Sequence, residues 1–190
     1  MKENKPTNET GNNPETEQEK EALPSFFTNL FSSASNPLPN RAVLEYNIMH
    51  SAPVKTNTEG YRSMTKVDKR TAEDIKHRLP CITPSVQLKG SAKKLTDFRK
   101  ETYWLMLDYD DVPPKNIAAL RQAARKIPFT MVFYITVSGK GFRILLRYMR
   151  PEGCNLTATE LHLLAIRKAM SMYDKLLGIS SDKQCQDMVR

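Results

Sequence analysis

Two aspartates at the end of a hydrophobic run, Asp108 and Asp110, are the clearest candidates in this chain for residues with a chemical role. They close the stretch 103–110, which reads Tyr-Trp-Leu-Met-Leu-Asp-Tyr-Asp. Because side chains alternate along a strand, both carboxylates would project to one face. Neighbouring carboxylates repel each other unless a cation holds them, and burying a charge is costly. The spacing therefore predicts a divalent-metal site at the end of a strand.

A second motif follows about thirty residues later, in the turn Ser138-Gly139-Lys140-Gly141. Its backbone N–H groups and its ammonium suit phosphate oxygens. The alternative is a plain hairpin turn, which glycine also favours, and the motif lacks the spacing of a Walker A loop. Asp111 has an alternative role too, as the cap of the helix that follows it.

The elements around these motifs can be predicted from periodicity and turn residues. Residues 103–109 indicate a strand, and prolines 113 and 114 indicate the first turn of a helix that ends near Lys126. The β-branched and aromatic run 130–137 indicates a second strand. Residues 142–148 return from the glycine-rich turn, so 130–148 is predicted to be an antiparallel hairpin.

A long helix completes the pattern. Thr157 and Glu160 form a capping-box sequence, the apolar stripe continues to about Leu177, and Gly178 suits the residue after a helix. The order strand, helix, strand, strand, helix predicts an α+β fold. Its core would be the split β-α-β-β-α-β unit of ferredoxin-like and RRM-like proteins, with N-terminal additions and most of its last strand missing.

The N-terminal part is less patterned. Residues 1–40 are predicted to be a disordered tail and linker, because residues 1–23 contain almost no aliphatic side chains. The domain would then span residues 41–190. Within it we predict a first strand at 41–49, a polar turn at 55–60, a short helix from an N-cap at Thr71 to about Leu79, and an extended segment at 81–88 that is interrupted by Pro84.

The charge distribution points to a polyanionic partner. The chain has a net charge of +8, yet residues 1–40 hold three lysines and six glutamates, so residues 41–190 carry +11. Such a body suits nucleic acid, although a merely soluble basic domain has the same balance. One basic segment is a candidate for contacts with a phosphate backbone, or else a solvated loop; it comprises Lys89, Lys93, Lys94, Arg99 and Lys100.

Several classes are disfavoured by what the sequence lacks. The three cysteines are scattered and odd in number, which fits a reducing cytoplasm rather than a disulfide framework or a zinc site. The chain shows no signal-peptide pattern and no apolar stretch long enough to span a bilayer. Its three histidines are isolated from one another, which argues against a nicking relaxase.

The order of the motifs resembles the archaeo-eukaryotic primase superfamily. The residues that carry this resemblance are Asp108-Tyr109-Asp110, then Ser138-Gly139-Lys140-Gly141, then the acids Asp182 and Asp187 ahead of Arg190. Within the superfamily, the chain is most similar to the primase–polymerase-like domain at the N-terminus of virulence-associated-E-like proteins of bacterial mobile elements. The resemblance covers about residues 70–190.

The resemblance implies a nucleotidyltransferase that adds nucleotides in DNA replication. Asp108, Asp110 and Asp182 would be catalytic and bind two Mg²⁺ or Mn²⁺ ions, with Asp187 as the alternate third acid. Nucleotide phosphates would contact Ser138, Gly139, Lys140, Gly141, Arg143 and Arg190. The implied partners are single-stranded template DNA, nucleoside triphosphates and a helicase, and no membrane is implied. Two metals suit such a reaction because they stabilise charge on the attacking and the leaving oxygen.

Three departures from the family pattern keep other functions open. The turn lacks a histidine, because Phe142 or Arg143 occupies that position; the third acid lies near the end of the sequence; and no ATPase segment follows. The chain is therefore also expected to be C-terminally incomplete. One alternative is a non-catalytic DNA- or RNA-binding module on the same fold, which would bind in a salt-sensitive but metal-independent way. Another is a structural or interaction domain.

Overall fold

The computed structural model describes residues 22–32, 34–89 and 95–189. The strands are β1 (Ser25–Phe27), β2 (Cys81–Thr83), β3 (Val86–Leu88), β4 (Phe98–Glu101), β5 (Trp104–Tyr109), β6 (Thr130–Ile135) and β7 (Phe142–Arg147). The helices are α1 (Arg41–Glu45), α2 (Ala52–Met64), α3 (Lys69–His77), α4 (Pro114–Arg125) and α5 (Ala158–Leu177). A π-helical turn at Tyr46–His50 continues α1, and 3₁₀ turns lie at Leu95–Asp97 and Lys183–Gln186. The fold is α+β, as predicted.

A three-stranded antiparallel sheet with the order β5-β7-β6 is the centre of the molecule. Asp108 of β5 lies opposite Arg143 of β7, which in turn lies opposite Tyr134 of β6. The predicted hairpin is therefore confirmed as β6–β7, and the strand predicted at residues 103–109 is confirmed as β5. The β6 strand ends at Ile135, two residues earlier than predicted.

One face of this sheet packs against α4 and α5. From β5 it contributes Leu105, Leu107 and Tyr109, and from β7 Phe142 and Ile144, all of which are buried. The helices contribute the other half of this core; their buried side chains include Ile117, Ala124, Ile166, Ala169, Tyr173 and Leu177. Alternation along β5 consequently sends Trp104, Met106 and Asp108 to the opposite face.

The ends of α5 match their sequence signals. Thr157 Oγ1 accepts from the Glu160 amide, and the Glu160 carboxylate accepts from the Thr157 amide, which completes the capping box. Gly178 ends the helix in the left-handed conformation, with φ of 70°. Glycine adopts this conformation without the steric cost that a side chain would add.

The opposite face is covered by the N-terminal part of the chain. Trp104, Met106, Val132 and Leu145 of the sheet form a second buried cluster there. Their partners come from the chain ahead of the sheet, namely Leu23, Leu38, Ile48, Met49 and Ile82. We call this covering the N-terminal layer. A third, smaller cluster joins Phe27, Val86 and Leu88 to Met188 near the other end of the chain.

This covering corrects the predicted linker. Residues 24–40 were assigned to it, yet β1 pairs with β2 and Phe27 is completely buried. The short run around Phe26 and Phe27 was underestimated, because two aromatic rings bury enough area to fix a three-residue strand. Residues 1–21 of the predicted tail lie outside the described residues.

Three further predictions in this region were wrong or displaced. The predicted strand 41–49 is α1 and its π-helical turn, which begins where Asn40 Oδ1 accepts from the Val43 amide. The predicted turn 55–60 lies inside α2. Helix α3 begins at Lys69 rather than Thr71, because Asp68 accepts from the amides of Arg70 and Thr71. The segment 81–88 is extended and interrupted at Pro84, as expected, and forms β2 and β3.

The ferredoxin-like identity of the core stays a prediction. The order β5-α4-β6-β7-α5 follows the split pattern, but among the described residues no strand follows α5. Instead, residues 182–185 run along the outer edge of β5. The Asp182 amide donates to the Asp108 carbonyl (2.8 Å), and the Asp108 amide donates to Cys185 Sγ (3.1 Å).

Candidate functional site

Asp108 is the buried centre of the candidate site. Its side chain is 1% exposed, and it accepts two hydrogen bonds at the same oxygen, Oδ2, from Arg143 Nε (2.9 Å) and Arg143 Nη2 (2.7 Å). Its other oxygen, Oδ1, is buried without a hydrogen-bond partner. A buried polar atom without a partner is costly, so it is a candidate ligand for something that enters the site.

Arg143 links Asp108 to the next strand. In the row Tyr134–Arg143–Asp108, the three residues lie on one face of β6, β7 and β5. Burial opposes the charge of Arg143, but Tyr134 and Asp108 outweigh it and raise the pKa of the guanidinium. Burial is also the main cause that raises the pKa of Tyr134. Arg143 is therefore a fixed cation whose side chain is still 36% exposed.

Asp110 lies just beyond the end of β5 and is exposed. Partial desolvation and then the negative charge of Asp108 raise the pKa of its carboxyl. Arg143 opposes this effect, while Asp182 and Asp111 add to it. The structure thus brings Asp108, Asp110 and Asp182 into one electrostatic neighbourhood.

The two candidates for a third acid differ in position. Asp182 is anchored beside Asp108 through its backbone, and its carboxylate accepts from the Gln184 amide at 2.9 Å. The Asp187 carboxylate instead accepts from the Val189 amide, and its charge acts on His162 of α5. Asp182 therefore lies beside Asp108 and Asp110, whereas Asp187 lies near His162. Their roles as metal ligands stay predictions.

The acids fit a divalent cation only in part. The free Oδ1 of Asp108 and the neighbouring carboxylate of Asp110 are suitable first ligands, since hard cations prefer carboxylate oxygens. Across residues 22–32, 34–89 and 95–189, however, no three His, Cys, Asp or Glu side chains are arranged to hold a metal ion. In this conformation Arg143 neutralises Asp108, and the complete three-acid set does not form.

The glycine-rich turn is pressed against the end of β5. The Gly139 amide donates to the Thr136 carbonyl (2.9 Å), and the Lys140 amide to Ser138 Oγ (3.2 Å). Gly141 packs so closely that a Cβ there would overlap the Tyr109 carbonyl oxygen. Since two of its amides are used within the turn, the exposed Lys140 ammonium is the group best placed for a phosphate.

Asp111 does not cap α4, contrary to our expectation. The residue before the helix is Pro113, and no side chain caps the first turn. Asp111 instead adopts a positive φ of 54° and turns the chain, and the next amide, of Val112, donates to the Lys140 carbonyl (2.8 Å). The local backbone therefore joins the end of β5 to the glycine-rich turn.

A cleft of about 600 Å³ lies beside this row, between β6 and the helices α2 and α3. Arg143 and Tyr134 form part of its wall, together with Arg62 and Arg121. Arg62 Nε donates to the Val137 carbonyl at 2.9 Å, and Nη2 donates to the Thr136 carbonyl at 3.4 Å. Sequence reasoning missed Arg62 and Arg121. No motif marks Arg62, whereas the i, i+4 spacing of Arg121 and Arg125 was a readable signal.

The predicted basic segment lies elsewhere. Lys89 follows β3, and Arg99 and Lys100 are exposed on β4. None of these three residues lines the cleft. Lys93, Lys94 and Arg190 lie outside the described residues.

Within the described ranges, no helix has the length and apolar character needed to cross a bilayer. No curated protein and no solved structure matches the chain.

A family model does match. It is described as BT4734-like, N-terminal domain, and it covers residues 74–190, from α3 through the sheet to the last turn. The match includes Asp108, Asp110, the glycine-rich turn and Asp182, but not Arg62. Because it spans more than half of the sequence, the chain belongs to the BT4734-like N-terminal domain family.

Proposed function

We propose that this chain is a nucleic-acid-binding nucleotidyltransferase of the primase–polymerase type, which extends strands in the replication of a bacterial mobile element. The observation that carries the proposal is the buried carboxylate of Asp108. It has one unpartnered oxygen, lies beside Asp110, and is bonded to an arginine that also lines the cleft. The order of motifs along the chain supports the same class of function.

The chain's own residues supply binding and orientation. The Asp108 carboxylate accepts from Nε and Nη2 of Arg143, so the guanidinium has a fixed position beside the cleft. Arg62 is held at the cleft wall by two backbone carbonyls. Guanidinium groups fixed in this way lose little entropy when they bind phosphate oxygens. Lys140 adds an exposed ammonium at the glycine-rich turn.

Asp108 and Asp110 are the residues that would hold Mg²⁺ or Mn²⁺, with Asp182 as the nearest further acid. Such a cation would stabilise the negative charge that develops on phosphate and hydroxyl oxygens during transfer. In the described conformation Asp108 can offer Oδ1 to it, because Oδ2 is engaged by Arg143.

The test is nucleotide incorporation by the full chain with labelled nucleoside triphosphates, a single-stranded template, and either Mg²⁺ or Mn²⁺. We expect Asp108→Asn and Asp110→Asn each to reduce incorporation at least a hundredfold, because each removes a charged ligand. Asp111→Asn is the matched control. It makes the same charge change in the same segment, and asparagine tolerates the positive φ of that position. Equal incorporation by all three variants would contradict the mechanism.

A non-catalytic nucleic-acid-binding module is the second candidate. The observation that favours it is the Arg143–Asp108 ion pair, which supplies a cation to the buried acid without any metal. It predicts binding of single-stranded nucleic acid that falls steeply with salt and does not change when a chelator is added. Binding of this kind, together with absent incorporation, would select this candidate over the first.

The wider setting belongs to the same proposal. A helicase partner, and nucleoside triphosphates with template DNA as substrates, rest on the resemblance to primase–polymerase-like domains. A cytoplasmic location rests on the three scattered cysteines, which fit a reducing compartment. The high positive charge of residues 41–190 supports a nucleic-acid partner.

A further inference from the structure

Two depressions on the surface meet at the same pair of arginines. The first is the cleft beside β6, and the second is a shallower groove of about 490 Å³ along α4 and the glycine-rich turn. Arg62 and Arg121 line both of them. Ile135, whose residue surface is 45% exposed, is also shared. The cleft and the α4 groove are therefore adjacent sections of one surface channel.

The charged side chains that line the channel are all basic. Its lining includes Arg62, Lys76, Arg121, Arg125 and Arg143, and neither depression is lined by any aspartate or glutamate. This bias is informative because the whole chain has 21 acidic residues against 29 basic ones. Lys76 is paired with Glu73, and Arg143 with Asp108. Among the described residues, Arg62, Arg121 and Arg125 form no ion pair with a carboxylate.

Helix geometry places Arg121 and Arg125 in one line. They are four residues apart, so they lie one turn from each other on the same face of α4. Both are exposed, and Gln122 lines the groove beside them. Arg62 stands across the groove on α2. Cations at regular intervals along a groove match the regular charges of a nucleic-acid backbone.

We propose that this α4 groove is the track on which the sugar–phosphate backbone of a single strand lies as it enters the cleft. The inference rests on the proposed function for the nature of the partner, and it goes further by locating the strand on Arg62, Arg121 and Arg125. The cleft has the size of a site for one small molecule, so it accepts individual nucleotides rather than a duplex. Its apolar lining, which includes Ile48 and the exposed Ile135, suits bases that have left the stack.

The first test is a charge reversal with a matched control in the first turn and at the C-cap of α4. In the full chain, Arg121→Glu/Arg125→Glu is compared with Lys115→Glu/Lys126→Glu, which changes the net charge equally at exposed positions outside both depressions. Binding is measured by fluorescence anisotropy with a labelled mixed-sequence single strand. We expect at least a tenfold loss of affinity for the first pair and less than a threefold loss for the second. Equal losses would overturn the proposal.

The second test uses the salt dependence of binding. Each phosphate contact on a single strand contributes about 0.7 to the slope of log K against log salt. Arg121→Gln/Arg125→Gln should therefore lower the slope by about 1.4. An unchanged slope would show that these arginines do not contact phosphates. A blunt duplex of the same sequence should bind more weakly than the single strand, and the opposite order would contradict the single-strand track.

The outcomes separate this inference from the proposed reaction. Suppose that Arg121 and Arg125 control strand binding, and that incorporation is either absent or unchanged in Asp108→Asn. The inference about the strand track is then supported, and the proposed reaction is contradicted. If incorporation depends on Asp108 while the Arg121/Arg125 reversal changes strand affinity no more than its control does, the proposed reaction is supported and the inference about the track is contradicted. Crosslinking from a photoreactive residue at Gln122, with Lys168 of α5 as the control position, gives an independent readout. Equal crosslinking at both positions would overturn the track.

Discussion

Asp108 uses its two carboxylate oxygens in opposite ways. Oδ2 accepts from both Nε and Nη2 of Arg143, while Oδ1 is buried without a hydrogen-bond partner. Removal of one member of a buried ion pair leaves the other uncompensated, which typically costs about 3–5 kcal/mol. Replacing both members of such a pair by apolar side chains is often neutral or stabilising, so the pair is not in itself evidence of stability.

Gly141 offers a sharp test of the contact between the turn and β5. A Cβ at this position would overlap the Tyr109 carbonyl oxygen and press on Thr136 Oγ1, at 3.2 Å. We therefore expect Gly141→Ala to lower the free energy of unfolding by about 1–3 kcal/mol, as overpacking does elsewhere. Urea denaturation would measure the change.

Gly60 of α2 is the control for this substitution. A Cβ there meets only Ile75, at Cδ1 (3.6 Å) and Cγ2 (3.7 Å), which is ordinary contact, and the position is helical. Gly60→Ala should raise the free energy of unfolding by up to about 1 kcal/mol, because alanine is the better helix former. If both variants changed stability in the same direction, the close packing of Gly141 would not be the cause.

At the scale of elements, the segment after α5 is held to the sheet by a small polar cluster. Asp174 Oδ1 accepts from Tyr109 Oη (2.9 Å) and from the Ser181 amide (3.0 Å), and Oδ2 accepts from Ser181 Oγ (3.2 Å). Through this cluster α5 sets the position of residues 182–185 at the edge of β5, and so the position of Asp182 beside Asp108.

Asp174→Ala should loosen that segment. The buried Tyr109 hydroxyl would lose its acceptor, which costs about 1–3 kcal/mol, and hydrogen exchange of residues 181–189 should speed up. Lys175→Ala, at an exposed neighbouring position, should change neither quantity. Adding Tyr109→Phe to Asp174→Ala should recover part of the loss, because no hydroxyl would then be left unsatisfied. Unchanged exchange in Asp174→Ala would contradict the anchoring role.

The sequence predicted the elements that have a strong period and clear end signals. β5, α4, β6, β7 and α5 were all identified, because alternation, a proline start and a capping box agree with one another there. The prediction failed for residues 41–60, where loose alternation resembled a strand but Asn40 begins a helix. It also failed for Phe26 and Phe27, whose burial depends on distant partners.

The candidate site was predictable to the same limited extent. The strand period predicted a common face for Asp108 and Asp110. Asp110 lies beyond the end of β5, but the charge of Asp108 is near enough to raise its pKa. The partner of Asp108 could not be read in the same way, because Arg143 reaches it through strand register, thirty-five residues along the chain. Arg62 could not be found at all, because the middle of its helix, residues 55–60, was predicted to be a turn and no element was assigned to the residues that follow.

At the scale of the whole molecule, the central sheet is covered on both faces by different parts of the chain. The family match begins at residue 74, whereas much of the N-terminal layer precedes it. Trp104, Met106, Val132 and Leu145 would face water without that layer. Residues outside the matched region are therefore part of the same folded unit, and they also contribute Arg62 to the cleft.

Acid should destabilise this unit through His162 of α5. The side chain is 1% exposed, and burial lowers its pKa to about 4. The Gln186 backbone and Asp187 favour the protonated form, although neither ring nitrogen has a partner at full hydrogen-bond geometry. Unfolded histidine titrates near 6.5. Between these values the unfolded state binds more protons, so the free energy of unfolding should fall as the pH decreases, by up to about 3 kcal/mol.

The measurement is urea denaturation between pH 4 and pH 7 for the wild type and for His162→Met. The variant cannot take up this proton, so its stability should depend less on pH in that window. His50→Gln, at an exposed position, should keep the wild-type dependence. Parallel curves for the wild type and His162→Met would show that this histidine does not govern the response.

The position of Trp104 gives the protein a built-in optical probe. It is the sole tryptophan of the sequence, it is completely buried, and it lies where the sheet meets the N-terminal layer. Indole emission moves to longer wavelength when water reaches the ring. The intrinsic fluorescence of the unlabelled protein would therefore report whether the N-terminal layer stays packed against the sheet while a ligand occupies the neighbouring cleft.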